Sequence, residues 1–486
     1  MSEPLALLPL AVAAGAGRVD DYDAGQLVAA GLTLLQRCAP LVRAMAGRRA
    51  AILLPTGPQF LTALAACDGR GAVLVNPLAA APEIAWQFQD AGVGAVFTNR
   101  ALSSRLPSQA MSGVPLVLLD DAPRRATVAI DGRSIEVDLG SHRGLPIEGA
   151  AGAPGRDEEC AIVYTSAMAG RSRGAILTHR NLLANARSTV AATALTRADR
   201  ALAILPLSHL FGLTVSAVAP LLPGGQVLTM ERFHPIKALD TIEREGVTLL
   251  VGVPAVFAGM VLAMERRGTR FKSHALRVCI CGGAVLPESV QDRFAELTGV
   301  ELRQGYGLTE AAPVALFNRL SVPNVRGTLG VPFPDVETTI RHPEKSRELA
   351  AGTEGEICVR GENVFAGYVN GATDGLRVAD GWLHSGDRGV RNADGTITFR
   401  GLYKAMFTRN GFNVYPAELE RVIGEMPGVT SVRVWAIPDE IRENDVGVEV
   451  TGDVSEADVK AWCEGRLSAY KQPSEITVTR LSAPLS

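Results

Sequence analysis

A loop in the first half of the chain carries residue types that bind phosphate. Thr165 and Ser166 follow an apolar run, and Arg171 and Arg173 stand a few residues further on, among glycines. Hydroxyl and guanidinium groups donate hydrogen bonds to anions, and glycine lets backbone N–H groups approach them. No lysine follows the second glycine, so the loop is not the G-x-x-x-x-G-K-[ST] type. One interpretation of the loop is therefore a phosphate cradle of another kind.

Two other interpretations of the same loop stay open. The letters "GRSRG" fit G-x-S-x-G, the elbow that presents a serine nucleophile in hydrolases, with Ser172 as nucleophile and His384 as a candidate partner. That elbow needs a strand that runs directly into a sharp turn, whereas this strand is expected to end near Thr165. The third interpretation is a surface loop with solvated arginines.

Further residues that could take part in catalysis or ligand binding stand in three later segments. Tyr306, Thr309 and Glu310 lie in "QGYGLTEAAPV", His209 lies in "LPLSHLFGLT", and Asp387 lies in "GWLHSGDRG". Each also has an ordinary structural interpretation, as a core aromatic residue, a solvated acid, a turn residue or a satisfied core histidine. Their meaning depends on whether the fold brings them together.

The elements that must position these residues alternate between short strands and helices. "RAAILLPTG", "AVLVNPL" and "VGAVFTN" are strand-like, and helical patterns separate them. This order predicts an α/β fold, with a large N-terminal domain of helix-covered, mostly parallel sheets and a strand-rich subdomain. A small α+β domain is expected to follow, so that the large domain covers residues 1–401 and the small domain covers residues 402–486. A cleft between two domains is a common place for a ligand.

Composition excludes some classes of partner. The 486 residues carry a net charge of -3, which gives no electrostatic support for a nucleic-acid partner. The seven cysteines form no C-x-x-C pair and no zinc-type cluster with histidine, so reduced thiols in a cytoplasmic protein are expected. We interpret the apolar run "LALLPLAVAAGAG" as a buried first segment rather than a targeting signal, and no membrane span is predicted.

Taken together and in order, these segments resemble the adenylate-forming superfamily. With "GEICVRGENVFAGY" and "GFNVYPAELE", the likeness extends from about Arg48 to Arg480. The superfamily includes acyl-CoA and aryl-CoA synthetases, carrier-protein adenylation domains and luciferases. The resemblance implies that ATP and a small or medium carboxylic acid give an acyl-adenylate. A thiol of CoA, or of a carrier protein's phosphopantetheine, then takes the acyl group while the small domain rotates between the steps.

The resemblance also implies roles for individual residues. The nucleotide set is Thr165, Ser166, Arg171 and Arg173 for the phosphates, Tyr306 for adenine, Asp387 for the ribose hydroxyls, and Gly282, Gly283 and Ala284 for the base and acyl group. The catalytic set is Thr309 near the α-phosphate, Glu310 as the Mg²⁺ ligand, His209 near the substrate carboxylate and Lys404 at the hinge.

Three departures from the family pattern affect the expected rate. The usual Gly-Thr-Thr of the phosphate loop is Ala-Met-Ala here, and Leu402 replaces a ribose-contacting arginine. No lysine follows Lys471, which belongs to another family segment, although the family carries a catalytic lysine near its C-terminus. Loss of one such donor typically slows a reaction on the order of 10²–10³-fold. The chain is therefore expected to be a working ligase with a substitute cation, a partner-dependent or partial enzyme, or a degenerate binding protein.

Overall fold

The structure is a computed structural model. It describes residues 17–67, 71–107, 111–130, 132–140, 157–165, 172–268, 271, 275–345, 347–373, 376–403, 406–439 and 441–479. Three predicted site residues, Ser166, Arg171 and Lys404, lie outside this part of the chain, as does most of the N-terminal apolar run.

Two nine-stranded sheets form the centre of the large part of the molecule. In spatial order the first contains Val331–Pro332, Val314–Phe317, Leu302–Gly307, Val278–Cys281, Leu249–Gly252, Arg200–Ala203, Gln226–Thr229, Arg18–Val19 and Tyr22–Asp23. The second contains Gly367–Tyr368, Arg173–Thr178, Glu159–Thr165, Ala72–Leu74, Arg49–Ile52, Val93–Thr98, Leu116–Leu118, Arg125–Ile130 and Arg133–Asp138. The central strands pair in parallel and the edges are antiparallel. Strands such as Leu249–Gly252 are buried along their whole length, as expected of a parallel sheet covered on both faces.

The remaining described strands form three smaller sheets. An antiparallel sheet contains Val336–Arg341, Glu354–Gly361, Trp382–Arg391, Val378–Ala379 and Ile397–Leu402. A hairpin of Phe407–Arg409 and Phe412–Val414 follows, and then a three-stranded sheet of Val429–Asp439, Glu443–Gly452 and Glu475–Thr479.

Helices cover the sheets and connect their strands. The α-helices are Ala24–Arg37, Ala39–Met45, Pro58–Ala66, Ala81–Ala91, Arg100–Ser103, His179–Thr193, Ala219–Leu221, Pro235–Glu245, Pro254–Arg267, Glu288–Thr298, Pro416–Gly424 and Glu456–Cys463. Phe211–Val218 is a π-helix, and Thr309–Ala311, Val369–Gly371 and Ala469–Lys471 are 3₁₀ turns. Local signals set several ends: the Thr178 side chain caps the start of His179–Thr193, and Gly246 ends Pro235–Glu245 in a left-handed conformation.

The buried apolar residues divide in a way that bears on domain organisation. One large cluster runs through both nine-stranded sheets, whereas a separate cluster between Phe407 and Leu467 belongs to the C-terminal strands and helices. We call residues 406–479 the small unit and the described residues before 404 the large unit. The predicted α/β class with a small α+β unit is confirmed, while the proposed boundary after residue 401 stays a prediction.

A search of the described helices for membrane spans finds none that is both long and apolar enough by itself. One bent pair, Ala24–Arg37 with Ala39–Met45, meets the length and composition criteria jointly, with a 93° angle between the two helices.

Candidate active site

The predicted residues that the structure describes line one cavity. It has a volume of about 410 Å³ and lies between the large unit and the small unit. Its wall includes the predicted residues Thr165, Arg173, His209, Gly282, Gly283, Ala284, Tyr306, Thr309, Glu310 and Asp387. Segments far apart in the sequence therefore meet at one place.

The strand Leu302–Gly307 and the turn after it deliver Tyr306, Thr309 and Glu310. The turn is tight, because the Leu308 N–H donates to the Pro313 carbonyl oxygen at 2.9 Å. A methyl group on Gly307 would lie 1.9 Å from that same oxygen. Gly307 is thus required by close backbone approach, and it fixes the path that carries the following side chains into the cavity.

We expect Gly307→Ala to destabilise the fold. The added methyl group meets backbone atoms that cannot rotate away, so the cost is expected at about 2 kcal/mol, typical of overpacking. Chemical denaturation of the variant should show a lower midpoint than the parent protein. Gly395→Ala provides a contrast, since a methyl group there has no neighbour within 4 Å, although the positive φ of 86° adds some strain. An unchanged midpoint for Gly307→Ala would contradict the close approach.

Glu310 is a buried carboxylate held in place at the cavity wall. Glu310 is only 5% exposed, and the Tyr368 hydroxyl donates to its Oε1 at 2.7 Å. The Tyr368 oxygen in turn accepts from the Leu376 N–H at 3.1 Å, and the Glu310 carbonyl accepts from the Phe365 N–H. A fixed, hard carboxylate oxygen at a cavity wall fits the ligand preference of Mg²⁺.

Asp387 lies across the cavity in the strand Trp382–Arg391. Its Oδ2 accepts from the Tyr306 hydroxyl at 2.6 Å, and its N–H donates to the Ser385 hydroxyl oxygen at 3.1 Å. Burial and then the neighbouring Asp387 carboxylate raise the pKa of Tyr306 well above its usual value, so the phenol keeps its proton and donates. Leu402 pairs with Asp387 in the sheet, which places the departure from the family pattern at the same wall.

A buried polar cluster supports the strand segment before Asp387. Glu356 Oε1 accepts from the Gly386 N–H at 2.9 Å, and Oε2 lies 2.6 Å from Nδ1 of His384. Cys358 completes a trio whose potential metal-ligand atoms lie within 4.8 Å of one another. Because both Glu356 oxygens already have protein partners, we interpret the trio as a brace for Asp387 rather than a metal site.

The hydrolase interpretation of Ser172 is wrong. Thr165 and Arg173 are paired in an antiparallel hairpin, so Ser172 leads into a strand and not from a strand into a helix. Its carbonyl oxygen accepts from the indole N–H of Trp86 at 3.1 Å. A nucleophile elbow needs the opposite order of elements. Thr165 and Arg173 themselves belong to the cavity wall.

His209 stands two residues before the π-helix, and its side chain is exposed at the cavity wall. Its Nδ1 accepts from the Phe211 N–H at 3.2 Å, which leaves the proton of a neutral ring on Nε2. The surrounding protein lowers its pKa to about 4, because it disfavours the charged imidazolium. A neutral donor in this place suits contact with a carboxylate.

We expect the His209 imidazole to stay neutral from pH 8 down to about pH 5. The lowered pKa means that the ring takes up a proton only as the pH falls towards about 4. NMR titration of ¹⁵N-labelled protein, with the signal assigned by its absence in His209→Gln, measures this directly. A midpoint near the ordinary value of about 6.5 would contradict the environment described.

The small unit closes the cavity with its hairpin. A methyl group on Gly411, which has a φ of 76°, would lie 2.6 Å from Cγ1 of Val253 in the large unit. The ring of Phe412 stacks on Tyr470 at 4.5 Å between centroids. Gly411, Phe412 and Tyr470 all belong to the cavity wall.

Several contributors to the site were not predicted from the sequence. The Tyr368 hydroxyl donates to the Glu310 carboxylate, and the Ser385 hydroxyl oxygen accepts from the Asp387 N–H. Glu83, Glu418 and Lys471 form a buried group at the junction of the units. Tyr368 and Ser385 lie inside the segments "GEICVRGENVFAGY" and "GWLHSGDRG". Their position within these motifs could therefore have marked them as candidate site residues. No local pattern distinguishes Glu83 from other helix-start acids.

Comparison with known proteins places the chain in context. The family model described as "AMP-binding enzyme" matches residues 37–369. A feruloyl-CoA synthase of Amycolatopsis is 34% identical over 446 residues, covering 89% of this chain and 85% of the relative. The structure of a malonyl-CoA ligase with methylmalonyl-CoA and AMP bound is 25% identical and superposes with a TM-score of 0.80 over 99% of each chain. ATP-bound MatB from Rhodopseudomonas palustris is 26% identical, with a TM-score of 0.67 over 98% of this chain and 92% of that one. The chain belongs to the AMP-binding enzyme family.

Proposed function

We propose that this protein is an ATP-dependent acid–thiol ligase that activates a carboxylic acid as its acyl-adenylate and transfers the acyl group to CoA. The single observation that carries the proposal is the convergence of Tyr306, Glu310 and Asp387 on one interdomain cavity. An aromatic ring, a metal-binding carboxylate and a hydrogen-bond acceptor for ribose are what a bound adenylate needs. Membership of the AMP-binding family and the CoA-ligase relatives support the same reaction.

In the first step a carboxylate oxygen attacks the α-phosphorus of ATP and pyrophosphate leaves. Tyr306 holds adenine and Asp387 accepts hydrogen bonds from the ribose hydroxyls, while His209 donates a hydrogen bond from Nε2 to the acid. Thr309 stands beside the α-phosphate, and Thr165 and Arg173 attract the outgoing phosphates. In the second step the thiol attacks the acyl carbon and AMP leaves.

Mg²⁺ and the acceptor are finer parts of the proposal. The fixed carboxylate of Glu310 suits Mg²⁺, which would neutralise phosphate charge when bound. CoA is the acceptor we favour, because the relatives are named as CoA ligases, and a carrier-protein phosphopantetheine remains the second choice. A cytoplasmic location also belongs to the proposal, and it is supported by seven cysteines that form no disulfide.

The acid is expected to carry an uncharged acyl group of small or medium size. Phe211, Phe317 and Phe333 contribute to the cavity wall, and ferulate in the name of a relative is an aromatic acid. The cations of the described wall are Arg173, at the phosphate loop, and Lys471, which is paired with two carboxylates. Among the described wall residues, a second carboxylate on the acid would therefore meet no further cation, which disfavours dicarboxylic acids.

Pyrophosphate release with ATP, Mg²⁺ and a panel of acids tests the function. The panel contains ferulate, 4-coumarate, octanoate and malonate, with CoA added or omitted. We expect release with an aromatic or medium-chain acid and little with malonate. Folded protein that releases no pyrophosphate with any acid would contradict the ligase.

A degenerate, binding-only protein is the second candidate. The observation in its favour is Leu402 opposite Asp387, where the resemblance leads us to expect an arginine. Calorimetry with AMP and with a non-hydrolysable acyl-adenylate analogue separates the two candidates. Tight binding of both ligands without turnover would favour the second.

A further inference from the structure

A buried ion cluster joins the two units at the edge of the cavity. The Lys471 ammonium donates to Glu83 Oε1 at 2.9 Å and to Glu418 Oε1 at 2.7 Å. The hydroxyl of Ser468 also donates to Glu83 Oε2. Lys471 is 4% exposed and Glu418 is 5% exposed, so water competes little for these contacts. We call these three charged residues the junction cluster.

The members of the junction cluster belong to different units. Glu83 lies in the helix Ala81–Ala91, which packs on the second nine-stranded sheet of the large unit. Glu418 lies in the helix Pro416–Gly424 and Lys471 in the 3₁₀ turn Ala469–Lys471, both in the small unit. A rotation of the small unit moves Lys471 and Glu418 together but takes both away from Glu83. Glu83 is therefore the member whose contacts depend on the orientation.

Charge and burial make the contact with Glu83 substantial. Burial opposes the charged form of Lys471, but Tyr470, Glu418 and Glu83 outweigh it and raise its pKa well above the usual value. The group is thus a buried cation between two carboxylates. Glu83 is itself anchored, since its Oε2 accepts from the Ala80 N–H at 3.2 Å at the start of its helix. Hydrogen bonds between buried charged groups are stronger than neutral ones.

The cluster is linked to the hairpin that closes the cavity. Tyr470, next to Lys471, stacks on Phe412 at the hairpin tip, and Gly411 beside it contacts Val253 of the large unit, close to Gly283 of the cavity wall. The orientation that forms the junction cluster is thus the one that brings the hairpin against Val253 and Gly283. The chain also superposes better on the complex with methylmalonyl-CoA and AMP than on ATP-bound MatB.

We propose that Glu83 is a positioning residue that holds Lys471 and the small unit in the orientation for acyl transfer to the thiol. This inference rests on the proposed ligase function. Glu83 touches neither the acyl carbon nor the α-phosphate in this role, and it acts through Lys471 and the hairpin. Its loss should therefore slow the second half-reaction while it spares the first.

The test compares the two half-reactions in Glu83→Gln. Adenylation is measured as single-turnover pyrophosphate release without CoA, and transfer as acyl-CoA formation from preformed enzyme-bound adenylate. Loss of one charged contact between the units is expected to slow transfer about tenfold, with adenylation unchanged or faster. Ser468→Ala, which removes only the second contact with Glu83, should slow transfer by a smaller factor.

Asp240→Asn is the matched control, because it breaks an exposed ion pair with Arg267 that lies within the large unit. Both half-reactions should keep parental rates in that variant. Equal slowing of adenylation and transfer in Glu83→Gln, or no change in either, would overturn the proposal.

A distance measurement keeps the inference separate from the ligase proposal. Spin labels at Leu262→Cys in the large unit and Lys460→Cys in the small unit report the orientation by electron–electron double resonance. Glu83→Gln should broaden the distance distribution, even in a protein that proves inactive. A narrow, unchanged distance distribution would overturn the positioning role of Glu83. Absence of pyrophosphate release by the parental enzyme with every acid of the panel would overturn only the proposed ligase function.

Discussion

Glu310→Gln is expected to lower pyrophosphate release by on the order of a hundredfold or more at saturating ATP and acid. The amide keeps the size of the side chain and still accepts from the Tyr368 hydroxyl, so the fold should be preserved. It loses the negative charge that a hard divalent cation requires. The loss should be partly overcome by raised Mg²⁺ concentration, since weaker metal binding is its cause.

Tyr368→Phe is the matched control for this result. It removes the hydroxyl that orients Glu310 but leaves the carboxylate, so activity should fall about tenfold, the lower range for loss of a supporting hydrogen bond at a metal ligand. Single-turnover rates across a Mg²⁺ titration measure both variants. If Glu310→Gln retains the parental rate, or if its defect does not depend on Mg²⁺, the metal-ligand assignment fails.

The motifs predicted residues that line one cavity, because chemistry restricts residue types locally. Tyr306, Thr309 and Glu310 stand within five positions on a strand and its following turn, and a turn that needs Gly307 admits few alternatives. The alternation of short apolar strands and helices likewise predicted the parallel sheets, because strands buried on both faces read as continuous apolar runs. The meeting of Asp387 with Tyr306 required the resemblance, since 81 positions separate them.

The residues that the sequence did not reveal act across the chain. Lys471 and Glu83 are 388 positions apart, and each has an ordinary local explanation, as a turn lysine and as a helix-capping acid. Only the packing of the small unit on the large unit removes water from these two side chains, and the loss of water strengthens their ion pair. The brace of Glu356 and His384 behind Asp387 is similar, because adjacent strands bring together residues that no motif relates.

The second large effect is expected for nucleotide binding in Asp387→Asn. A carboxylate accepts from the two ribose hydroxyls with charge assistance, whereas an amide offers one neutral oxygen that Tyr306 already approaches. Losing about 1 kcal/mol at each of two hydrogen bonds weakens AMP binding about thirtyfold. Calorimetry with AMP measures the loss, and Tyr306→Phe should change affinity by no more than about threefold, because the stacking ring remains.

The ligand itself supplies the decisive control for Asp387. 2′,3′-Dideoxy-AMP lacks both ribose hydroxyls, so it should bind the parental protein more weakly than AMP and should lose nothing further in Asp387→Asn. A double-mutant-cycle treatment of protein and ligand changes then isolates the contact, because damage to folding or to adenine stacking weakens both nucleotides equally. If the substitution costs the same affinity for AMP and for the dideoxy nucleotide, Asp387 does not read the ribose, and its bond to Tyr306 is its whole role.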